Sequence, residues 1–212
     1  MKRAAIRKRA VISYAEGDEH LELAGMTWPL MKGYADSCDA EFVGFTGSPN
    51  IPRPPAWKKL AFMADSLVEF DEVLWLDADV VTVKTENIFD DFPWSKIQAV
   101  VEHHDREGSI PNMGVWLCRR GMIPWLVVAA MQDEYIDHKW WEQAAMMHLM
   151  GYECESGSCR PLRSSKLFDF THFLDEKWNF CSCSKAESVN FVHACGMVGE
   201  KRLSAIKELV SG

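Results

Sequence analysis

Phe70-Asp71-Glu72-Val73-Leu74-Trp75-Leu76-Asp77-Ala78-Asp79-Val80-Val81 reads as a strand that runs out into two carboxylates. Its run from Glu72 to Leu76 has the length and the aliphatic and aromatic content of a strand inside an α/β sheet. In open sheets of parallel strands, ligands collect at the carboxyl ends, and Asp77 and Asp79 fall at such an end. Side chains two positions apart leave an extended chain on the same side. Two carboxylates so placed repel each other unless a cation lies between them. Mg²⁺ and Mn²⁺ are hard, oxygen-seeking ions that commonly take one or two carboxylates together with phosphate oxygens. Asp77 and Asp79 are therefore candidate ligands for an ion that neutralises a diphosphate. A bare pair of solvated aspartates opening a turn gives the same short pattern; the strand and periodic helix ahead of it add the context.

Outward from this segment, strands and helices alternate. Ala10 to Tyr14 and Glu41 to Phe45 read as strands, separated by a helix from about Glu19 to Asp36 in which Pro29 is a candidate kink or break. The Thr46 to Pro55 stretch is a loop, because prolines at 49, 52, 54 and 55 fix φ and remove donors. Trp57, Leu60, Ala61, Ala64, Leu67 and Val68 recur at helical spacing. Further strands are expected at Ala99 to Glu102, Gly114 to Cys118 and Phe191 to His193, and helices at Gly121 to Asp137, Trp141 to Met150 and Lys201 to Val210. Gly151 to Ser165 is turn-rich and fits no one element. The alternation predicts βαβ units, and thus a mostly parallel central sheet flanked by helices. With no internal repeat and no low-complexity linker, one Rossmann-like α/β domain over residues 1–212 is expected.

The 212 residues carry 23 Lys and Arg against 31 Asp and Glu, a net charge of −8. That balance argues against a nucleic-acid binder. No apolar run reaches the ~18 residues of a membrane span, and the apolar part of the N-terminal stretch is too short for a signal peptide. The expectation is a soluble protein of the cytoplasm, the host cytoplasm if the chain is viral. Lys2, Arg3, Arg7, Lys8 and Arg9 read as a solvated basic tail. The seven cysteines, Cys38, Cys118, Cys154, Cys159, Cys181, Cys183 and Cys195, are an odd number without the C-x₂-C knuckles of a zinc site, and read as free thiols. Trp116, Trp125, Trp140, Trp141 and Trp178 read as core residues first and as sugar-packing faces second.

The stretch from Trp57 to Val81 resembles the core of GT-A-type nucleotide-sugar glycosyltransferases, in particular the retaining glycogenin-like and galactosyl/mannosyltransferase families. Three later segments follow in the order those families use. Pro111-Asn112-Met113-Gly114 resembles their N-x-G strand entry. Trp141-Glu142-Gln143-Ala144 resembles their acidic-Gln helix start. His193-Ala194-Cys195-Gly196 resembles their H-x-x-G. In size the chain is similar to a soluble viral glycosyltransferase.

The resemblance implies a GT-A fold and transfer of a sugar from a nucleotide donor, a UDP-sugar, to a glycan or glycoprotein acceptor. It implies that Asp77 contacts ribose or metal, that Asp79 and His193 bind Mn²⁺ or Mg²⁺, and that Gly196 lets the backbone approach the diphosphate. Lys201 is badly spaced for a phosphate contact, so backbone donors of Met197 to Gly199 are the alternative. Ser13, Tyr14, Ala15, Ala78 and Asn112 fall where this fold holds its nucleotide, with Lys58 or Arg53 as a diphosphate contact. Glu142 or Gln143 would stand near the reacting sugar, with retention of configuration, and Glu102, His103, His104 and Asp105 are candidates for the acceptor side. Two other readings stay open. Leu76 to Thr82 also resembles the D-x-D-x-[TV] nucleophile motif of haloacid-dehalogenase-type phosphatases, although there the motif lies on the first strand. A sugar-nucleotide-binding module without turnover is the third, with a zinc-stabilised interaction domain as a weaker alternative.

Overall fold

The computed structural model describes residues 7–47, 51–105, 108–155, 158–161, 164–181 and 188–211. Lys2, Arg3 and Cys183 lie outside them. In chain order the elements are β1 (Arg9–Tyr14), α1 (Asp18–Ser37), β2 (Glu41–Phe45), α2 (Lys58–Glu69), β3 (Glu72–Leu76), β4 (Val80–Thr82), β5 (Gln98–Asp105), β6 (Gly108–Arg119), α3 (Ile123–Ala130), α4 (Trp141–Leu149), β7 (Tyr152–Glu155), β8 (Ser158–Pro161), α5 (Lys166–Asp169), β9 (Thr171–Leu174), β10 (Phe191–His193) and α6 (Gly199–Ser211).

The central sheet has the order β2-β1-β3-β6-β5-β9. Along this order the pairings are parallel except for those of β6 with β3 and β5, and off it β8 pairs parallel with β6 and antiparallel with β7. The sheet is thus mostly parallel with one reversed strand. All five residues of β3 are buried, with β1 on one side and β6 on the other, which accounts for its continuous apolar run. One face carries α2, α3 and α4 over a core that includes Trp57, Leu60, Met63, Trp116 and Met146. The other face carries α1 over Val11, Met31, Leu74, Leu76 and Phe191. Beyond it, α6 packs on α1 around Leu23, Ala24 and Ile206. Among the described residues no helix is long and apolar enough to cross a membrane.

Four expectations from the sequence change. Pro29 does not break α1; the helix runs through it, and the hydrogen bond it forgoes is to the residue four back, Gly25. The expected helix from Gly121 to Asp137 stops at Ala130, because Gln132 is extended and its carbonyl is engaged by Arg53. Gly151 to Ser165 contains the β7–β8 hairpin. Arg7 and Arg9 are not a solvated tail: both guanidinium groups bind the buried carboxylate of Glu72, which also takes Arg119. That is how the start of β3 satisfies its one buried charge.

Candidate active site

The site is built where β3 ends. The backbone amide of Asp77 donates to the carbonyl of Gly114 on β6 (2.8 Å), and Val80 donates to the carbonyl of Asp77 (3.0 Å), so the chain turns out of the main sheet at Ala78. It then enters β4, which pairs antiparallel with β10 and sets His193 opposite Val80. The amide of Ala194 closes on the carbonyl of Asp79 at 3.1 Å. Two carboxylates from the middle of the chain and an imidazole from its last strand are brought together in this way.

Their polar atoms converge. His193 Nε2 lies 3.2 Å from Asp79 Oδ1 and 3.9 Å from Asp77 Oδ2. One ligand atom from each of Asp77, Asp79 and His193 lies within 4.8 Å of the other two. The second oxygen of each carboxylate is held elsewhere. Asp77 Oδ1 accepts from Trp75 Nε1 at 2.6 Å and pairs with Lys59 at 3.0 Å. Asp79 Oδ2 accepts from Arg202 at 3.2 Å. Each aspartate therefore keeps one oxygen facing the histidine. The far nitrogen of that ring, Nδ1, lies 3.0 Å from Asn179 Oδ1. A carbonyl partner of this kind fixes the tautomer of a metal-binding histidine. A carboxylate, carboxylate and imidazole set fits Mn²⁺ or Mg²⁺ with coordination positions left for phosphate oxygens.

Burial and charge act together here. Burial alone would lower the His193 imidazole, but Asp79 first and Asp77 after it raise it to about 9. Burial alone would raise the Asp79 carboxyl, but His193 and Arg202 outweigh it and hold the group well below the usual carboxylate range. Such mutual stabilisation of opposite charges is what a cation would take over.

Gly114 explains how closely the histidine is seated. A Cβ at this position would lie 2.1 Å from His193 Cε1, so only glycine fits. The Asn112 side chain accepts from the Gly114 amide at 2.9 Å and from Asn179 Nδ2 at 3.0 Å. The N-x-G stretch is thereby tied to the partner of His193. Gly196 has a φ of 75° and open space where a side chain would go; its glycine suits the left-handed backbone.

Lys59 links the remaining candidates. Its buried ammonium lies 3.0 Å from Asp77, 3.1 Å from Glu142 and 3.1 Å from the carbonyl of Met113. Burial opposes its charge, but Asp77 and Glu142 more than restore it. Glu142 is also buried, which pushes its carboxyl up against the pull of Lys59. Gln143 accepts from the Met113 amide at 2.9 Å. The start of α4 thus stands beside the Asp77 to Asp79 turn, connected to it through α2 and β6. Lys58 lies on the other side of α2 and bonds Tyr14 and Glu16 at the end of β1. Tyr14 packs against Phe62 at 5.0 Å between ring centres, and Ala15 and Ser13 are buried beside it. Among the described residues Ser13 Oγ has no hydrogen-bond partner.

Other candidates are placed elsewhere. Arg53 binds Gln132 and Asp133, away from the carboxylates. Glu102 bonds Tyr152, and His104 bonds Ser109 at 2.9 Å. Trp116 and Trp178 are core residues, whereas Trp141 is exposed. Lys59, Asn179 and Arg202 were not singled out from the sequence. Arg202, next to Lys201, is a cation of α6 that reaches the site, and it is held there by Glu19 of α1 at 3.0 Å. Nothing in the spacing of residues 59, 77 and 142, or 79 and 202, marks them as partners.

No family profile matches the chain, and no curated protein does. Solved structures do. A glycosyltransferase involved in the glycosylation of the major capsid of PBCV-1 superposes with a TM-score of 0.70 at 15% identity, over 95% of this chain and 99% of that one. The galactosyltransferase LgtC, solved with donor and acceptor sugar analogues, superposes with a TM-score of 0.64 at 11% identity, over 95% of each chain. The glycosyltransferase GlyE of Streptococcus pneumoniae TIGR4 superposes with a TM-score of 0.60 at 15% identity, over 97% of this chain and 60% of that one. At such identities the likeness is one of fold: the chain has the GT-A architecture of these proteins.

Proposed function

We propose that this chain is a divalent-metal-dependent glycosyltransferase that moves a sugar from a UDP-sugar to a glycan or glycoprotein acceptor with retention of configuration. The observation that carries the reading is the convergence of Asp77 Oδ2, Asp79 Oδ1 and His193 Nε2, with the opposite carboxylate oxygens fastened to Lys59 and Arg202. Mn²⁺ or Mg²⁺ held by these three groups supplies Lewis-acid stabilisation of the departing nucleoside diphosphate.

The chain's own residues do the rest. Lys59 and Arg202 prevent Asp77 and Asp79 from swinging apart when their mutual repulsion is unrelieved. Asn179 holds His193 with Nε2 toward the ion. Ser13, Tyr14 and Ala15 end β1 on the nucleotide side, where Ser13 Oγ has hydrogen-bonding capacity to spare and Lys58 offers a cation to the phosphates. Ala78 and Asn112 shape the turn between nucleotide and ion, and Gly196 keeps the backbone after β10 open to the diphosphate. Glu142 and Gln143 open α4 toward the reacting sugar. Glu142 pairs with Lys59 at 3.1 Å and so braces that lysine beside Asp77, and same-face attack guided by the leaving phosphate asks for no separate carboxylate base. The phosphatase alternative is not favoured: the motif lies on the third strand, and both aspartates are held in ion pairs.

The test is UDP release from UDP-sugars with Mn²⁺, beside p-nitrophenyl phosphate turnover. Asp79→Asn should lower UDP release about 10³-fold, the several kcal/mol a Lewis acid provides at about 1.4 kcal/mol per decade. Full activity in that variant, or in EDTA, contradicts the reading. A thermal-shift panel of UDP-, GDP- and dTDP-sugars identifies the nucleotide.

A further inference from the structure

His193 faces two different sets of donors. Its Nε2 edge looks onto the carboxylates. Its Nδ1 edge looks onto sulfur: Cys181 Sγ lies 4.0 Å away, and one ligand atom from each of Cys181, Cys195 and His193 lies within 4.8 Å of the other two. His103 Nε2 is 3.4 Å from Cys181 Sγ. Both cysteines are free thiols and only partly buried. They come together because the chain at Phe180 bridges to Val192 on β10, a juxtaposition no C-x₂-C spacing announces.

We propose that Cys181, Cys195 and the Nδ1 edge of His193 form a second metal site, selective for a thiophilic cation such as Zn²⁺, and that its occupation excludes the hard cation from Asp77 and Asp79. A tetrahedral zinc with bonds of about 2.3 Å to sulfur and about 2.1 Å to nitrogen holds those atoms about 3.6 Å apart. The sulfur-to-nitrogen distances of 3.4 and 4.0 Å around Cys181 bracket that value. Two thiolates favour zinc over Mg²⁺ or Mn²⁺, which prefer oxygen. His103 stands within reach as a fourth ligand, and water is the alternative.

The exclusion follows from the single imidazole. A hard ion uses the Nε2 lone pair, which leaves the proton on Nδ1 and directed at Asn179 Oδ1. A soft ion uses the Nδ1 lone pair, which breaks the 3.0 Å contact of Nδ1 with Asn179 Oδ1 and leaves the proton on Nε2 and directed at Asp79 Oδ1. A neutral ring cannot serve both ions, so zinc at the thiols sets the tautomer that blocks the carboxylate site.

The experiment measures binding rather than turnover, so the zinc site stands or falls apart from the transferase reading. Zinc stoichiometry is determined by dialysis on the whole chain, and free Mn²⁺ by its paramagnetic resonance signal. Replacement of zinc by Co²⁺ is followed by thiolate-to-metal charge-transfer absorption. The wild type should bind one Zn²⁺ with a cobalt–thiolate band, and bound zinc should weaken Mn²⁺ at least about 10-fold, the lower end of what loss of a histidine's correct orientation costs. Cys181→Ser and Cys195→Ser, which keep side-chain volume, should lose the band and the competition while binding Mn²⁺ as before. Their circular dichroism spectra verify folding, and Cys181→Ala and Cys195→Ala serve if a serine variant misfolds. Zinc bound equally well by the cysteine variants but lost in Asp79→Asn would overturn the proposal, as would zinc and Mn²⁺ binding together without mutual effect.

Discussion

At the scale of single residues, the geometry around His193 is set by what is missing at position 114. Gly114→Ala introduces a methyl group into space occupied by the imidazole. The ring must turn away from the carboxylates, and overpacking of this kind costs about 1–3 kcal/mol. Gly114→Ala is thus expected to lower Tm and to weaken Mn²⁺ binding together, measured by calorimetric melting and metal titration; a variant with a normal metal affinity would show that the close approach is dispensable. Asp77 and Asp79 were legible as a neighbouring pair because they follow a strong apolar strand, whereas His193 was reached only through the H-x-x-G resemblance, since a histidine closing a short strand reads by itself as a core residue. Lys59 was not, because an ion pair between a helix and a neighbouring strand leaves no periodic mark. Lys58, one position earlier, has the same sequence character and faces the end of β1 instead.

At the scale of elements, charge buried at the join of strands fixes where each begins. Glu72 opens β3 with its carboxylate shared among Arg7, Arg9 and Arg119. Glu72→Gln leaves those cations without their anion, and breaking a buried pair costs about 3–5 kcal/mol; urea denaturation is expected to show the loss with little change in slope. Helix α6 is joined to α1 by Glu19, which binds Arg202 and the amide of Gly199. The Arg202 hydrogen bond is the largest influence on the Glu19 carboxyl and, with the other favourable contacts, holds it below its usual range. A carboxylate with a depressed folded-state pKa stabilises above its unfolded pKa, and that contribution fades as pH falls through the folded value. The protection of the α6 amides, taken relative to their intrinsic exchange rate at each pH, is accordingly expected to fall below about pH 4.5 in the wild type. Glu19→Gln should exchange faster already at neutral pH and lose this part of the acid dependence. Element boundaries followed the apolar pattern closely for β2, β3 and β10. They failed at Gly121 to Asp137, where the pull of Arg53 on Gln132 is a tertiary contact that local periodicity does not contain.

At the scale of the whole molecule, alternating strands and helices were enough to read an α/β domain with a largely parallel sheet. The reversed course of β6 was not legible, because a strand buried between two others has the same apolar run whichever way it points. The fold links remote parts of the chain through the site, so ligand binding should be felt globally. On the proposed function, Mn²⁺ with a cognate UDP-sugar at about 100 times its Kd should add about 2.7 kcal/mol, a rise in Tm of about 5–10 °C for a domain of this size. EDTA is expected to reverse the rise in differential scanning fluorimetry, and Asp79→Asn to abolish it; an equal rise in that variant would mean the donor binds without the ion.

The seam of β10 against β4 has a consequence for biosynthesis. While the polypeptide leaves the ribosome, the aspartates emerge long before the strand that brings their imidazole, and closing so long an intervening loop is entropically costly. A nascent chain halted before Phe191 would display the two aspartates without His193, so the three-ligand site proposed above should come together only after synthesis has passed that strand.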